Sequence, residues 1–458
     1  MPHDLARHML QGIASALDLP PGAHSRVTFE GNDRLPSCFP VSELAAASIA
    51  AAALAISELI GVSASAPPVT VALRSASLWF GWSLRPLGWD MPNPWDPIAG
   101  DYAAADGWIK LHTNVPHHRT AALSVLGCEP MRESVASIVA TWSSEALEEA
   151  IVAAGGCAAR LRSSEEWAVH PQGQAVAAEP LVLWDSPAAC TGDNWRPCAE
   201  RPLAGLRVLD LTRVLAGPVA TRFLAGFGAD VLRIDPPGWD EPGVIPEVTL
   251  GKRCARLDLK TAAGMETLIA LLSQADVLVH GYRADALERL GIGTEVRRAI
   301  CPHLVDISLD AYGHSGPWAT RRGFDSLVQF SSGIAATGME WRKAIQPVSL
   351  PVQALDHATG YLLAAAAARG LKSQVSGAGP MRARFSLART AKLLTDHRAG
   401  QSDGLFAGAS DADFDTTEEC TDWGPGYRLL PPVSIEGAHM HWPRAAAKLG
   451  SCTPSWEW

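Results

Sequence analysis

The chain has 458 residues, of which 47% are hydrophobic and 19% are charged, a composition typical of a globular protein with a large core and two or three domains. Its formal net charge is −10 and it contains no dense Lys/Arg tract, which argues against a nucleic-acid-binding protein. The most apolar stretch, at 44–59, is interrupted by Ser48, Ser57 and Glu58. We therefore expect a buried helix there and no contact with a membrane.

Nine cysteines are scattered along the chain without a CxxC pair, and the histidines lack the spacing of metal ligands. The first residues do not have the pattern of a signal peptide. These features predict free thiols in a reducing cytoplasm and no bound metal.

The first region, 1–66, predicts two helices, at 1–17 and 42–60, and is ended by two prolines. The next region, 67–200, has mixed signals that include an Asp-Gly turn between two short strands within 101–112. We interpret it as a small α+β domain whose last part, from about 186, is a linker.

In the third region, 201–396, strand patterns alternate with helix patterns, which predicts a doubly wound parallel sheet. The predicted strands lie at 206–211, 230–234, 257–259, 276–280 and 304–308, and predicted helices lie at 219–227 and 262–273. Ligands of such a sheet bind at the carboxyl ends of its strands. The loop at 212–218 lacks the GxGxxG fingerprint, so we do not expect a dinucleotide there.

The stretch at 353–369 predicts a helix that begins near an acid, because Asp356 precedes Leu362, Leu363 and an alanine run. Asp356 occupies the position of an N-cap residue, and most aspartates in such positions serve only as caps. A carboxylate there faces free N–H groups and the positive end of the helix dipole. We therefore expect it to be ionised at neutral pH.

Several blocks of the third region resemble family III CoA-transferases, the group of formyl-CoA transferase and carnitine-CoA transferase. The resemblance begins at 203–218 and 227–237 and continues in the same order at 251–260, 275–291, 312–317 and 324–333. It implies the fold of that family: a large Rossmann-like domain that binds CoA, and a smaller α+β domain. It also places Asp356 where the family has its nucleophilic aspartate.

The implied activity is transfer of CoA from an acyl-CoA thioester to a carboxylic acid. A carboxylate nucleophile suits this reaction, because it can pass through an enzyme-bound anhydride and an aspartyl-CoA thioester. The resemblance further implies a homodimer and no cofactor beyond the CoA thioester, which is a substrate. It places eight residues in contact with CoA: Val214, Leu215, Ala216, Leu257, Lys260, Tyr282, Arg289 and Arg322.

Two alternatives stay open. Acyl-CoA racemases have the same fold, but they need a His in a Gly-His-Asp triplet, and this chain has Phe324 there. The chain could also be a non-catalytic CoA-binding member of the family. Pro236, Gly281 and Leu215 replace residues of formyl-CoA transferase, so specificity for formyl or oxalyl groups is not supported.

The halves of the family pattern occur in rearranged order. Residues 42–57 resemble 356–371 at a constant offset of 314 positions, and Ser42 occupies the position of Asp356. We therefore interpret 1–66 as a degenerate repeat without a nucleophile. The Gly-, Ser- and Asp-rich stretch at 397–427 predicts a mobile excursion, and 428–458 is expected to return to the large domain.

Overall fold

The computed structural model describes residues 2–185, 195–283, 285–397, 402 and 404–457. Its N-terminal unit packs helices on a short pair of parallel strands, and its elements are α1 (Pro2–Ala16), β1 (Val27–Glu30), α2 (Val41–Ile60), β2 (Val69–Ala72) and α3 (Leu73–Trp79). Helix α2 is long and apolar enough to cross a membrane, yet all of its residues are buried inside the protein. It is a core helix of this fold.

The small α+β domain follows α3. Its elements are β3 (Leu84–Pro86), β4 (Gly100–Ala104), β5 (Gly107–Leu111), α4 (Pro116–Leu126), α5 (Arg132–Val139), α6 (Ser144–Ala153), β6 (Ala158–Arg160), α7 (Ser164–Val169), α8 (Pro171–Ala178) and β7 (Leu183–Asp185). Strands β4, β5 and β6 form an antiparallel sheet, and the predicted Asp-Gly turn joins the first two. A separate hydrophobic cluster, which includes Tyr102, Ile109 and Leu147, fills the space between this sheet and its helices.

The large domain contains the widest sheet among the described residues. Its elements are β8 (Arg207–Leu211), α9 (Ala216–Gly226), β9 (Asp230–Asp235), α10 (Ile245–Val248), β10 (Lys252–Arg256), α11 (Ala262–Leu272), β11 (Val277–His280), α12 (Ala286–Arg289), α13 (Thr294–Ile300), β12 (Val305–Asp310), α14 (Asp325–Ser331), α15 (Ile334–Arg342), α16 (Ala354–Val375), β13 (Arg382–Ser386) and α17 (Leu387–Thr395). The strand order is β10-β9-β8-β11-β12-β13-β7, and only β7 is antiparallel to its neighbour. The predicted α/β class, with a doubly wound parallel sheet and a smaller α+β domain, is confirmed. Because the strand order reverses between β8 and β11, the loop after β8 lies at the point where such sheets bind ligands.

The C-terminal segment forms strands β14 (Phe414–Thr421), β15 (Gly424–Leu429) and β16 (Ser434–Ile435). The hairpin of β14 and β15 extends β3 of the small domain, and β16 pairs with β2. The segment at 397–427 therefore includes ordered strands where the composition predicts an excursion. Further on, Trp456 packs under the large sheet and donates its indole N–H to the carbonyl of Leu271.

Two predicted boundaries differ from the structure, and two further predictions fall partly outside the described residues. The third strand of the large domain covers Lys252–Arg256, whereas the pattern predicts 257–259. A boundary at residue 66 would separate β2 from its partner β1, because strand pairing joins residues that are distant in sequence. Most of the predicted linker, 186–194, and residues 398–401 and 403 of the predicted excursion lie outside the described residues.

Helices α2 and α16 pack against each other at the centre of the molecule. Each is followed by a strand and a short helix, β2 with α3 in one case and β13 with α17 in the other. Glu58 of α2 accepts a hydrogen bond of 2.6 Å from Lys372 of α16, and these residues are 314 positions apart. Equivalent positions of the two helices therefore touch, which is the contact pattern of elements paired about a local two-fold axis.

Candidate active site

Asp356 lies in the first turn of α16, three residues after the helix N-cap Gln353, and its side chain is only 7% exposed. The cap is supplied from another helix. The carboxylate of Asp325 in α14 accepts hydrogen bonds from the backbone N–H groups of Leu355, at 2.8 Å, and of Asp356, at 3.0 Å. The expectation that Asp356 itself caps the helix is wrong, because Asp325 takes the free amides of that turn.

The two carboxylates influence each other. Burial raises the pKa of Asp356 well above its usual range, and the negative charge of the neighbouring Asp325 raises it further. Burial also raises the pKa of Asp325, but three hydrogen bonds, from two backbone amides and from Gln329, favour its ionised form. The proton shared by this pair therefore resides on Asp356. This upward shift of the pKa runs against the expectation that the helix start keeps Asp356 ionised.

The loop after β8 positions backbone beside Asp356. Val214 has a φ of 64°, which is a strained conformation for a β-branched residue, and its N–H donates to the Glu241 carboxylate at 2.8 Å. Helix α16 approaches this loop closely at Gly360, where an added Cβ would lie 2.5 Å from the carbonyl oxygen of Ala216. A larger residue at 360 would push the Asp356 helix away from the loop.

Asp356 lines two cavities that meet at its carboxylate. The first, of about 380 Å³, is here called the cationic cavity because four arginines line it: Arg213, Arg283, Arg321 and Arg322. The second, of about 280 Å³, is here called the aromatic cavity, and its walls include Phe80, Trp82, Trp95, His112 and Phe324. Val214 and Leu215 belong to both. A molecule that reaches Asp356 can therefore place a charged part on one side and an apolar part on the other.

The structure brings five of the eight predicted CoA contacts to this place. Val214, Leu215, Ala216, Tyr282 and Arg322 line the cationic cavity together with Asp356. The other three lie elsewhere. Leu257 belongs to the hydrophobic cluster under the large sheet. Lys260 is exposed, and Arg289 is exposed and forms an ion pair with Asp285.

The small domain closes the site within a single chain. Buried Glu148 of α6 forms ion pairs with Arg162 and with Arg321, which lines the cationic cavity. Gln172 of α8 donates to the carbonyls of Tyr312 and Ser315, both at 2.8 Å. These buried contacts hold the small domain against the loops of the large domain of the same chain.

Sequence reasoning missed two histidines of the small domain. The His112 ring stacks on Phe324 with their centroids 3.7 Å apart, and His118 meets the same ring edge-on. Burial lowers the pKa of each histidine to about 3, so both are neutral. The dense spacing of His112, His117 and His118 was the available signal. Within the described part of the chain, no group of three His, Cys, Asp or Glu residues could hold a metal ion.

Comparisons with known proteins agree with this architecture. The family model of CoA-transferase family III matches residues 203–415. A probable fatty acyl-CoA transferase of Mycobacterium tuberculosis (strain ATCC 25618 / H37Rv) is 34% identical over 180 residues, which are 36% of this chain and 45% of that protein. A succinyl-CoA:glutarate CoA-transferase of Mus musculus is 35% identical over 196 residues, which are 40% of this chain and 44% of that protein.

A crystal structure of the M. tuberculosis protein in an orthorhombic form is also similar, with a TM-score of 0.40, 30% identity and coverage of 44% of this chain and 58% of that one. The chain spans less than half the length of the two relatives named above. Residues 203–415, somewhat less than half of the chain, are thus similar to CoA-transferase family III.

Proposed function

We propose that this protein transfers CoA from an acyl-CoA to a carboxylic acid and that Asp356 is the nucleophile. The observation that carries the proposal is the position of Asp356 at the junction of the cationic and aromatic cavities. A thioester bound across that junction has its CoA part on the cationic side and its acyl part on the aromatic side. Its carbonyl carbon then lies at the carboxylate.

The cationic cavity suits the phosphates of CoA. Guanidinium groups bind phosphate oxygens in a bidentate manner, and four arginines line this cavity. Arg213 also lies over the rings of Trp239, at 4.4 Å, and Tyr282, at 5.5 Å, which fixes its orientation. Leu215 and Ala216, at the start of α9, line this cavity together with Asp356 and are a further source of backbone N–H donors.

The reaction proceeds through two exchanges at Asp356. Its ionised carboxylate attacks the donor thioester carbon, the C–S bond breaks, and an aspartyl-acyl anhydride and CoA thiolate result. The thiolate then attacks the aspartyl carbonyl, which releases the donor acid and leaves an aspartyl-CoA thioester. The acceptor carboxylate repeats these two steps in reverse order and leaves as its CoA ester. One thioester replaces another, so no other energy source is needed.

The backbone amides of Leu355 and Asp356 cannot serve this reaction as free oxyanion donors, because Asp325 already accepts their hydrogen bonds. The donors must come from elsewhere, and the loop that enters α9 is the nearest source of backbone N–H groups. Asp325 instead fixes the start of α16 and tunes the protonation of Asp356.

One feature of the structure bears on the racemase alternative. Phe324 excludes a base within the triplet, but His112 stacks on that phenyl ring, lines the aromatic cavity with Asp356, and has a buried Nδ1 without a hydrogen-bond partner. A neutral imidazole there can accept a proton, although burial lowers the pKa of His112 to about 3 and so makes it a weak base for an α-proton. The test below therefore includes a measurement of proton exchange.

The resemblance also implies a homodimer, and the cysteine pattern predicts a cytoplasmic protein. Free cysteines occur throughout the described residues, which supports our proposal of a reducing compartment. Since the small domain packs against the large domain of the same chain, we propose that a dimer, if formed, is not required for chemistry.

Substitution of Asp356 tests the proposal. Asp356→Ala should lower CoA exchange by at least about 1,000-fold while CoA binding persists, because the arginines of the cationic cavity remain. The measurement is mass spectrometry of exchanged thioesters over a panel of acyl-CoAs and acids, with binding followed by calorimetry. Ser42→Ala, at the equivalent position of the repeat, is the matched control and should retain exchange.

Two results would contradict the proposal. One is exchange by Asp356→Ala at the wild-type rate. The other comes from the same incubations in heavy water: uptake of deuterium at the α-carbon of a 2-methylacyl-CoA that depends on Asp356 and is lost in His112→Ala would identify a racemase.

A further inference from the structure

The walls of the aromatic cavity restrict which acyl groups can bind. Among its described lining residues there is no Lys or Arg, while two carboxylates, Asp325 and Asp356, face it. Phe80, Trp82, Trp95 and Phe324 supply aromatic surface. A distal carboxylate of a bound acyl group would therefore lose its hydration without gaining a cation.

The neighbouring cavity does not supply that cation. It has a volume of about 300 Å³, shares Trp95, His112 and Phe324 with the aromatic cavity, and has three acidic lining residues, Asp96, Asp240 and Glu241. Asp96 and Glu241 are paired with Arg119 and Arg233, respectively, which lie behind the wall. The extension of the acyl site is thus negative or neutral, and none of its described lining residues is Lys or Arg.

The remaining polar groups suit uncharged partners. His112 is 5% exposed and has a buried Nδ1 without a partner, and burial lowers its pKa to about 3, so it remains neutral. A neutral imidazole can donate to a carbonyl or hydroxyl oxygen, or accept from a hydroxyl, but it cannot balance the charge of a carboxylate. The Asn114 amide oxygen accepts from the N–H of Asp96, and its nitrogen donates to the carbonyl of Pro94. Its second N–H is uncharged and cannot balance the charge of a carboxylate.

We propose that the donor and acceptor acids of this enzyme are monocarboxylic acids with an uncharged, apolar or aromatic acyl group, and that dicarboxylic acids are excluded. This inference rests on the proposed CoA transfer and specifies its substrates. It separates the chain from the mouse relative, whose name gives two dicarboxylic acids. The arginines that line the site face the CoA part and not the acyl part.

Carbon-matched substrate pairs test the inference. Full-length protein is incubated with pentanoyl-CoA and butyrate, with benzoyl-CoA and phenylacetate, or with glutaryl-CoA and succinate, and exchanged thioesters are quantified by mass spectrometry. We expect kcat/KM for at least one uncharged pair to exceed that of the dicarboxylate pair by about 100-fold or more, which is the cost of a buried unpaired charge.

A designed variant tests whether the lack of a cation is what excludes dicarboxylic acids. Trp82 lines the aromatic cavity and is 45% exposed, so Trp82→Arg can add a cation with little effect on folding. It should raise the relative kcat/KM for the dicarboxylate pair at least several-fold, whereas Trp82→Met, which removes the ring without adding charge, should not.

Failure of the inferred substrate class and failure of the proposed CoA transfer give different results. Exchange of glutaryl-CoA and succinate by the wild type at a rate equal to the uncharged pairs would overturn the substrate class but leave CoA transfer intact. Exchange of none of the pairs, with no CoA adduct on Asp356 by intact-protein mass spectrometry, would overturn both.

Discussion

Helices α2 and α16 are alike in length, composition and burial but differ chemically in their first turns. Both are long, alanine-rich and buried, and each continues into a strand and a short helix. At the position where α16 has Asp356, α2 has Ser42, which is 1% exposed. The Ser42 hydroxyl accepts hydrogen bonds from the N–H of Leu35, at 2.9 Å, and the hydroxyl of Ser77, at 2.7 Å. Neither cavity that meets at Asp356 reaches it.

The two helices are similar in the residues that pack the core and different in the polar groups at their first turns. The shared features of the two helices are those that bury apolar surface, and the differences are confined to the first turn and what faces it. Asp356 faces two cavities and a second carboxylate, whereas the hydroxyl of Ser42 accepts hydrogen bonds from two neighbouring groups. The repeated unit therefore acts as the packing partner of the active one: α2 covers a face of α16 that would otherwise be exposed.

The largest expected effect comes from removing the N-terminal part of the chain, which includes helix α2. A fragment of residues 201–458 lacks α2 and the small domain, and so exposes one face of α16 and opens both cavities. We expect it to be insoluble, or to show no CoA exchange, because the lost apolar burial exceeds the typical stability of a domain, roughly 5–15 kcal/mol. Solubility, circular dichroism and the mass-spectrometric exchange assay measure this.

Co-expression of residues 1–200 with 201–458 is the control and should restore soluble protein and exchange, since the cut lies in the predicted linker. A 201–458 fragment that is folded and fully active by itself would show that the N-terminal unit is dispensable, and would break the comparison.

Sequence patterns predicted those parts of this comparison that depend on local periodicity. The two long helices, the 314-residue offset and the parallel sheet all follow from apolar spacing and from order along the chain. The loop at 212–217 and Phe324 were also within matched blocks. The sheet was predictable because its strands are short, buried and separated by helices.

Features that depend on contacts distant in sequence were not predictable. Asp325 caps α16 from 31 positions away, and burial together with the charge of Asp325 raises the pKa of Asp356, against the expected direction. His112 reaches the site through the packing of the small domain, and no local pattern gives that position. The pairing of β2 with the remote β16 is of the same kind.

The second prediction concerns the carboxylate pair that α2 lacks. Asp356 must be ionised to attack, and its pKa is raised, so kcat/KM should increase with pH as the proton leaves. Asp325→Asn removes the neighbouring charge while its amide oxygen can still accept from the start of α16. The pKa of Asp356 should then fall, and the acidic limb of the profile should move to lower pH.

The pH dependence of kcat/KM for both proteins measures this shift. Glu340→Gln, an exposed carboxylate on α15, is the control and should leave the profile unchanged. An acidic limb that stays in place, or moves to higher pH in Asp325→Asn, would show that Asp325 does not set the protonation of the nucleophile.

The smallest expected effect is that of substituting Ser42, which should lower the stability of the fold without changing the rate of CoA exchange. Ser42→Ala leaves the N–H of Leu35 without its acceptor, whereas Ser77 keeps its second bond to the carbonyl of Leu73. The free energy of unfolding should therefore fall by about 1–2 kcal/mol, the cost of one unsatisfied partly buried donor. Denaturant titration measures this free energy.

Ser48→Ala is the control in the same helix. It removes only a bond to the local carbonyl of Ala45 and should lower the free energy of unfolding by less. Both variants should exchange CoA at the wild-type rate, because the degenerate copy has no nucleophile. A loss of exchange in Ser42→Ala with unchanged stability would mean that this copy takes part in the reaction and that the two helices are functionally more alike than their first turns indicate.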